Sequence, residues 1–370
     1  MSRRALRSNP PTLAGHWGAA IIASSLVACG VQVQGGLGGH ESSFVEPAGG
    51  GGAGQGGAGQ GGADAGGGPC TNAVLDAGGA GGIVLRTQGE IAYYTTTENS
   101  IIRADLESGT MTILTADRPH LGDIAVFDGQ LYFSDVSGVW QMPEAGGTPE
   151  LIAPMGWVSP AIAAGATGLY WLEDHDVEGY WIHRRAPDGE VTVLTTDIDS
   201  PTGLSVGPQG AVYTDPYDPF VEPGAVRVVT TDGAPSTVLA SARPYPELPF
   251  QTEDSIYWVE RDTFDGRIAR ATLDSAKPEE VFSFVNQYPV AAATDGTAFF
   301  AIVMPVDGTV TKVVRGAFPV ADGQEVLAES SGNDFYTAVA TTPKRLVWTV
   351  QPNVAGSPVA GLRTLCRDAP

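Results

Sequence analysis

An all-β ring of repeated four-stranded units is predicted by three observations. First, the chain has 49 glycines, 27 prolines and 42 acids against 20 bases in 370 residues. With few strongly helical stretches, that composition favours many short strands joined by turns. Second, one aromatic strand recurs seven times: "EIAYYT" (90–95), "QLYFSD" (130–135), "GLYWLE" (168–173), "AVYTDP" (211–216), "SIYWVE" (255–260), "TAFFAI" (297–302) and "RLVWTV" (345–350). Taking Ala92, Tyr132, Tyr170, Tyr213, Tyr257, Phe299 and Val347 as equivalent, the spacings are 40, 38, 43, 44, 42 and 48, close to the roughly 40–45 residues of a four-stranded blade. Third, the last unit lacks an outer strand, while "CTNAVLD" (70–76) supplies a spare one at the other end. Together these predict a seven-bladed β-propeller over 70–370, closed by pairing between the N-terminal and C-terminal strands so that no sheet edge stays open.

Residues 1–29 read as an export signal: Arg3, Arg4 and Arg7 form the positive end, Leu13 to Val27 the apolar middle, and "LVAC" ends at Cys29. That tetrapeptide resembles a lipobox, which implies that Cys29 is the lipidated first residue of the exported chain. Acyl chains there would hold the protein stably on a membrane. The chain has no apolar run of about 18 residues or more, so it is not expected to span a bilayer. Residues 30–69 read as a disordered Gly-rich tether; in 47–68, 13 of 22 positions are glycine, leaving too little apolar surface to offset the entropy of ordering. As a flexible coil it would span roughly 35 Å root-mean-square and at most about 130 Å. Removal of the signal leaves 17 bases against 42 acids, a formal charge of −25. Such a chain repels phosphate backbones, so no nucleic-acid partner is expected; a cation, a basic protein or a neutral glycan stays compatible.

Each unit then runs in the same order. A strand of small or β-branched residues comes first, such as "DIAVF" (123–127) or "VAAAT" (290–294), because the innermost strands crowd at the axis. The aromatic strand follows, then one such as "IIRADL" (101–106), then an outer strand with a Val/Leu pair such as "EVTVLTT" (190–196). Asp188-Gly189, Asp232-Gly233 and Asp295-Gly296 mark turns that need positive φ. In the ring, Cys70 and Cys366 fall on adjacent strands. With Cys29 lipidated they are the only thiols left in an exported chain, so a disulfide between them is expected to latch it.

"IYWVERDTFDGRIARATLDS" (256–275) and "IAYYTTTENSIIRADLESG" (91–109) resemble the YWTD repeats of lipoprotein-receptor propellers, and "DIAVFDGQLYFSD" (123–135) is similar to NHL-type repeats. The resemblance covers 83–366 and implies the fold; propellers of these groups mostly bind proteins, glycans or small ligands, and a few are metal-dependent lyases or lactonases. It also implies that ligands approach the face carrying the loops between second and third strands and between blades. On that face the sequence places an acid-rich group: Glu173, Asp174, Asp176 and Glu178; Asp215, Asp218 and Glu222; Glu260, Asp262 and Asp265. Of these, Asp174, Asp176, Glu178, Asp215, Asp218, Asp262 and Asp265 are candidate Ca²⁺ ligands, although a solvated rim explains them as well. His120, Trp157, Tyr245, Tyr288 and Tyr336 are the candidate binding residues, either stacking on a sugar or partner or plugging the channel mouth.

The search for linear catalytic motifs finds none, and His120, His175 and His183 show no metal-ligand spacing. His183 reads as an ordinary strand residue. No cofactor beyond a possible Ca²⁺ is expected. Two functions follow: a lipid-anchored lipoprotein of the bacterial envelope, expected on the outer membrane, whose propeller binds or scaffolds an extracytoplasmic protein or glycan; or a metal-assisted lyase or hydrolase on the same face.

Overall fold

The structure is a computed structural model and describes residues 70–75, 81–157, 159–208, 210–215, 224–262, 264–272, 275–308, 310–317, 323–331, 334–352 and 360–367. The expected signal, the tether and Cys29 lie outside them. Seven four-stranded antiparallel sheets form the ring, as the repeat predicts. Blades one to six run from Gly82 to Thr115, Ile124 to Pro154, Ile162 to Ile198, Gly203 to Arg243, Pro246 to Phe284 and Gln287 to Glu329; blade seven runs from Asp334 to Cys366.

Alternation along each aromatic strand assembles the core. Successive side chains point to opposite faces of a blade, so one strand feeds two interfaces. Tyr93 packs with Ile124, Leu131 and Phe133 of blade two, whereas its neighbour Tyr94 packs with Val347 and Leu362 of blade seven. Likewise Trp171 faces blade two and Tyr170 faces blade four. Burying one such side chain contributes about 1.5–3 kcal/mol, and a register slip of one residue would turn the wrong set into each interface.

Strand Ala73–Leu75 pairs with Gly361–Cys366, aligning Ala73 with Thr364 and Leu75 with Leu362, and completes blade seven. Cys70 and Cys366 are disulfide-bonded with Cα atoms 5.7 Å apart. The Asn72 side chain accepts from the Cys366 amide at 2.8 Å. The expected turns also form, with Gly189, Gly233 and Gly296 at φ 93°, 73° and 86°. Blade five departs from the small-residue rule at the axis: its inner strand Pro246–Gln251 carries Phe250, and the buried Glu247, 2.8 Å from Arg261.

The C-terminal strand is also tied to blade six. Arg367 donates to the Thr342 carbonyl at 2.7 Å and pairs with the Asp295 carboxylate. Burial acts to raise the Asp295 pKa, but hydrogen bonds from Thr297 and Ala298 and the charge of Arg367 outweigh it, so the pKa lies below its ordinary 3.8. A depressed folded value means that this contact stabilises the fold above the unfolded pKa and is lost as pH falls through the folded one. The stability difference between wild type and Asp295→Asn should therefore be constant above about pH 5 and shrink below about pH 4. Chemical denaturation across that range checks it; a gap undiminished at the acid end would show that Asp295 does not carry the effect.

Candidate functional site

Antiparallel four-stranded blades put the second-to-third loops and the interblade connections at the same end, and backbone hydrogen bonds join them. The Val136 amide donates to Pro119, Met155 to Ser137, Arg261 to Tyr245, Val306 to Asn286 and Ser330 to Thr311. The predicted binding residues differ in what they offer. Trp157 is 66% exposed, the largest exposure of any described tryptophan, and His120 is exposed at φ 52°. Tyr245 and Tyr288 are half-buried, and Arg261 lies over the Tyr288 ring at 5.3 Å. Tyr336 is a correction. It lies in the core beside Trp348, and its hydroxyl donates to the Glu329 carbonyl at 2.9 Å, so it is engaged in packing.

Sequence reasoning missed the apolar part of this face. Phe264, Val285 and Val306 are exposed, and their loops are linked: the Asn286 amide donates to Asp265 at 2.8 Å and the Val306 amide to the Asn286 carbonyl. Phe264 sits inside a loop whose acids drew attention instead; its position between two strands was the available signal.

Several acids have local structural work. Asp174 accepts from the Asp176 amide at 2.8 Å at the short 3-10 turn Asp176–Glu178. Asp265 bridges to blade six as above. Asp215 accepts from the Ser200 amide at 3.4 Å, and burial, with the charge of Asp199, pushes its carboxyl up. Asp262 closes its loop by donating its amide to the Asp265 carbonyl at 2.8 Å. Asp218 and Glu222 lie outside the described residues. Glu260 is not a rim residue at all. It is 0% exposed and receives Trp258 Nε1 at 2.7 Å, Arg267 Nε at 2.6 Å and Arg243 Nη2 at 2.9 Å. The strand alternation that buries Trp258 buries Glu260 two positions on.

At the axis the inner strands surround a cavity of about 580 Å³, whose lining includes Arg86, Asp123, Ser205 and Gln251. Asp123 accepts from Arg86 at 2.6 Å and from the Ile124 and Ile162 amides at 2.8 and 3.1 Å, tying the inner strands of blades two and three together.

Among the described residues, one group of side chains brings three metal-ligating atoms within 4.8 Å of one another: Glu173, His175 and His183. Glu173 lies opposite Trp181 and Trp171 opposite His183 on the hairpin of blade three, so Glu173 and His183 are diagonal neighbours on one face. Burial pushes the His183 pKa down, with His175 adding to this and Glu173 opposing it. The hairpin register was readable in the sequence, but linear spacing alone hid the pair.

No family of known proteins matches the chain, and no curated protein does. Solved structures match throughout the ring. The propeller domain of the trilobed protease from Pyrococcus furiosus, described as having an open velcro topology, is 10% identical, covering 77% of this chain and 95% of that one with a TM-score of 0.59. Oligogalacturonate lyase in complex with manganese is 14% identical, covering 76% and 87% with a TM-score of 0.51. A nidogen/laminin complex is 19% identical over 56% of this chain and 80% of that one, at a TM-score of 0.45 too partial to carry an argument. The likeness to the protease propeller domain, with the seven four-stranded sheets of the ring, defines the class, a seven-bladed β-propeller. Unlike the open form, this one is closed by strand pairing and a disulfide.

Proposed function

We propose that the protein is an exported lipoprotein, held at the bacterial envelope through Cys29 and a Gly-rich tether, whose propeller is a binding or scaffold module for an extracytoplasmic protein. The observation that carries the binding role is the exposure of Trp157, Phe264, Val285 and Val306 on one acid-rich face; other exposed apolar side chains, such as Ile113, Val193 and Val326, lie along the outer strands of the blades and not on that face. Such anchors in a negative surround suit an amphipathic partner with basic groups, the apolar contacts supplying affinity and the charges steering the encounter. A glycan would use Trp157 by stacking and would leave Val285 and Val306 idle.

A photo-crosslinking residue placed at 157 or 264 in cells tests the surface. A discrete protein adduct is expected at both positions and none at Ser108, on the opposite face; equal labelling at all three would reject this face. Trp157→Ala combined with Phe264→Ala should remove the adduct formed from a probe at 285 and change stability by no more than about 0.5 kcal/mol per site, as exposed substitutions do. Anchoring has its own test: Cys29→Ala should abolish metabolic labelling with palmitate and release the protein from the membrane fraction, and continued labelling would refute it.

A further inference from the structure

The second strands of three blades carry a carboxylate at the same register, at or one residue before the strand end: Asp135 in blade two, Glu173 in blade three and Glu260 in blade five. In two of them arginine answers the charge. Arg118, on the connection from blade one, lies 3.3 Å from Asp135; Arg243, ending the outer strand of blade four, and Arg267 hold Glu260. Blade three has no such cation among its described contacts. The residue after the outer strand of blade two is Met155, which packs with Trp171. Glu173 meets imidazoles instead, with His183 Nε2 2.8 Å from Oε2 and His175 Nε2 3.8 Å from Oε1. Both nitrogens are enclosed without a well-directed hydrogen-bond partner.

We propose that Glu173, His175 and His183 form a binding site for a divalent transition metal of the zinc class. The His175 and His183 rings lie 6.2 Å apart and both present Nε2 to the Glu173 carboxylate, so the three donor atoms converge within 4.8 Å of one another. A divalent cation satisfies all three groups at once and takes the place that arginine holds in the sister blades. Two imidazoles and one carboxylate suit zinc or a neighbouring first-row ion, whereas Ca²⁺ takes oxygen ligands. Ring stacking orients the donors: His175 lies 3.7 Å from Trp181 and His183 5.2 Å from Trp171. The His175 amide also donates to the Gly179 carbonyl at 2.9 Å, fixing the loop that carries it. Three protein ligands leave a fourth position for water or an exogenous ligand. The site is independent of whichever partner the exposed face binds.

Calorimetric titration of the untagged, EDTA-stripped exported protein with ZnCl₂, with Co²⁺ absorption as the second readout, tests the site. One equivalent of Zn²⁺ should bind, Co²⁺ should give ligand-field bands of low coordination number, and Zn²⁺ should raise the melting temperature. Glu173→Gln, His175→Gln and His183→Gln should each weaken binding by about 100-fold or more, beyond what loss of a second-shell partner costs, while Asp262→Asn leaves it intact. His175→Gln, on the loop, is the variant whose folding is least at risk, and its unliganded melt provides the control. No heat with Zn²⁺ at millimolar concentration, or stoichiometric binding that survives in a folded His175→Gln protein, would overturn the proposal.

Discussion

Cys366→Ser, or reduction of the Cys70–Cys366 bond, is expected to lower stability by about 5 kcal/mol and the melting temperature by about 10 °C. The bond spans 296 residues of sequence, so breaking it returns a long loop's worth of freedom to the unfolded chain; the figure is an upper one because unfolded chains keep residual structure. The effect has a local component too, since the closing strand is only three residues long, Ala73–Leu75. Without its covalent end, that strand keeps its ladder to Gly361–Cys366 and the Asn72 contact. Calorimetry with and without reductant measures the loss. A reduced protein that melts with the oxidised one would show that backbone pairing closes the ring unaided.

Glu260→Ala is expected to cost about 3–5 kcal/mol, the range for breaking a buried ion pair by removing one partner. The carboxylate is fully buried at the junction of blades four and five, and its loss strips Arg243 and the indole N–H of Trp258 of this acceptor and leaves Arg267 only the more distant Glu280, 3.7 Å away. The penalty comes from the two stranded guanidinium groups more than from lost attraction, so a variant that also converts Arg243 and Arg267 to methionine should recover most of it. Denaturant melts of the single and triple variants check both statements. A loss under about 1 kcal/mol for the single variant would mean that water reaches the site.

The equivalent positions Asp135, Glu173 and Glu260 show how much of the candidate site was legible. Glu173 and Glu260 stood out in the sequence as acids near one strand end, and both were placed on the exposed face. The structure instead buries Asp135 and Glu260 under arginines and surrounds Glu173 with imidazoles and indoles. Arg118 comes from the connection that precedes blade two and Arg243 from the outer strand of blade four, so no pattern within one repeat reveals them. His183 was readable in principle, because the hairpin register that sets Trp171 opposite it also sets it beside Glu173. Tyr336 looked like part of an aromatic rim, yet the strand Asp334–Thr341 begins before it and carries its ring inward beside Trp348.

By itself the sequence determined the number of blades, the order of strands within each, the meeting of the two chain ends and the cysteine pair that joins them. Those features follow from periods of two residues and of about forty, which are properties of the chain taken locally. Only the tertiary structure decided which carboxylate meets which cation and which apolar side chains remain in water. Those depend on the contact between one blade and the next, where the outer strand of blade four delivers Arg243 to Glu260 while Met155, just after the outer strand of blade two, packs with Trp171 and brings no charge to Glu173.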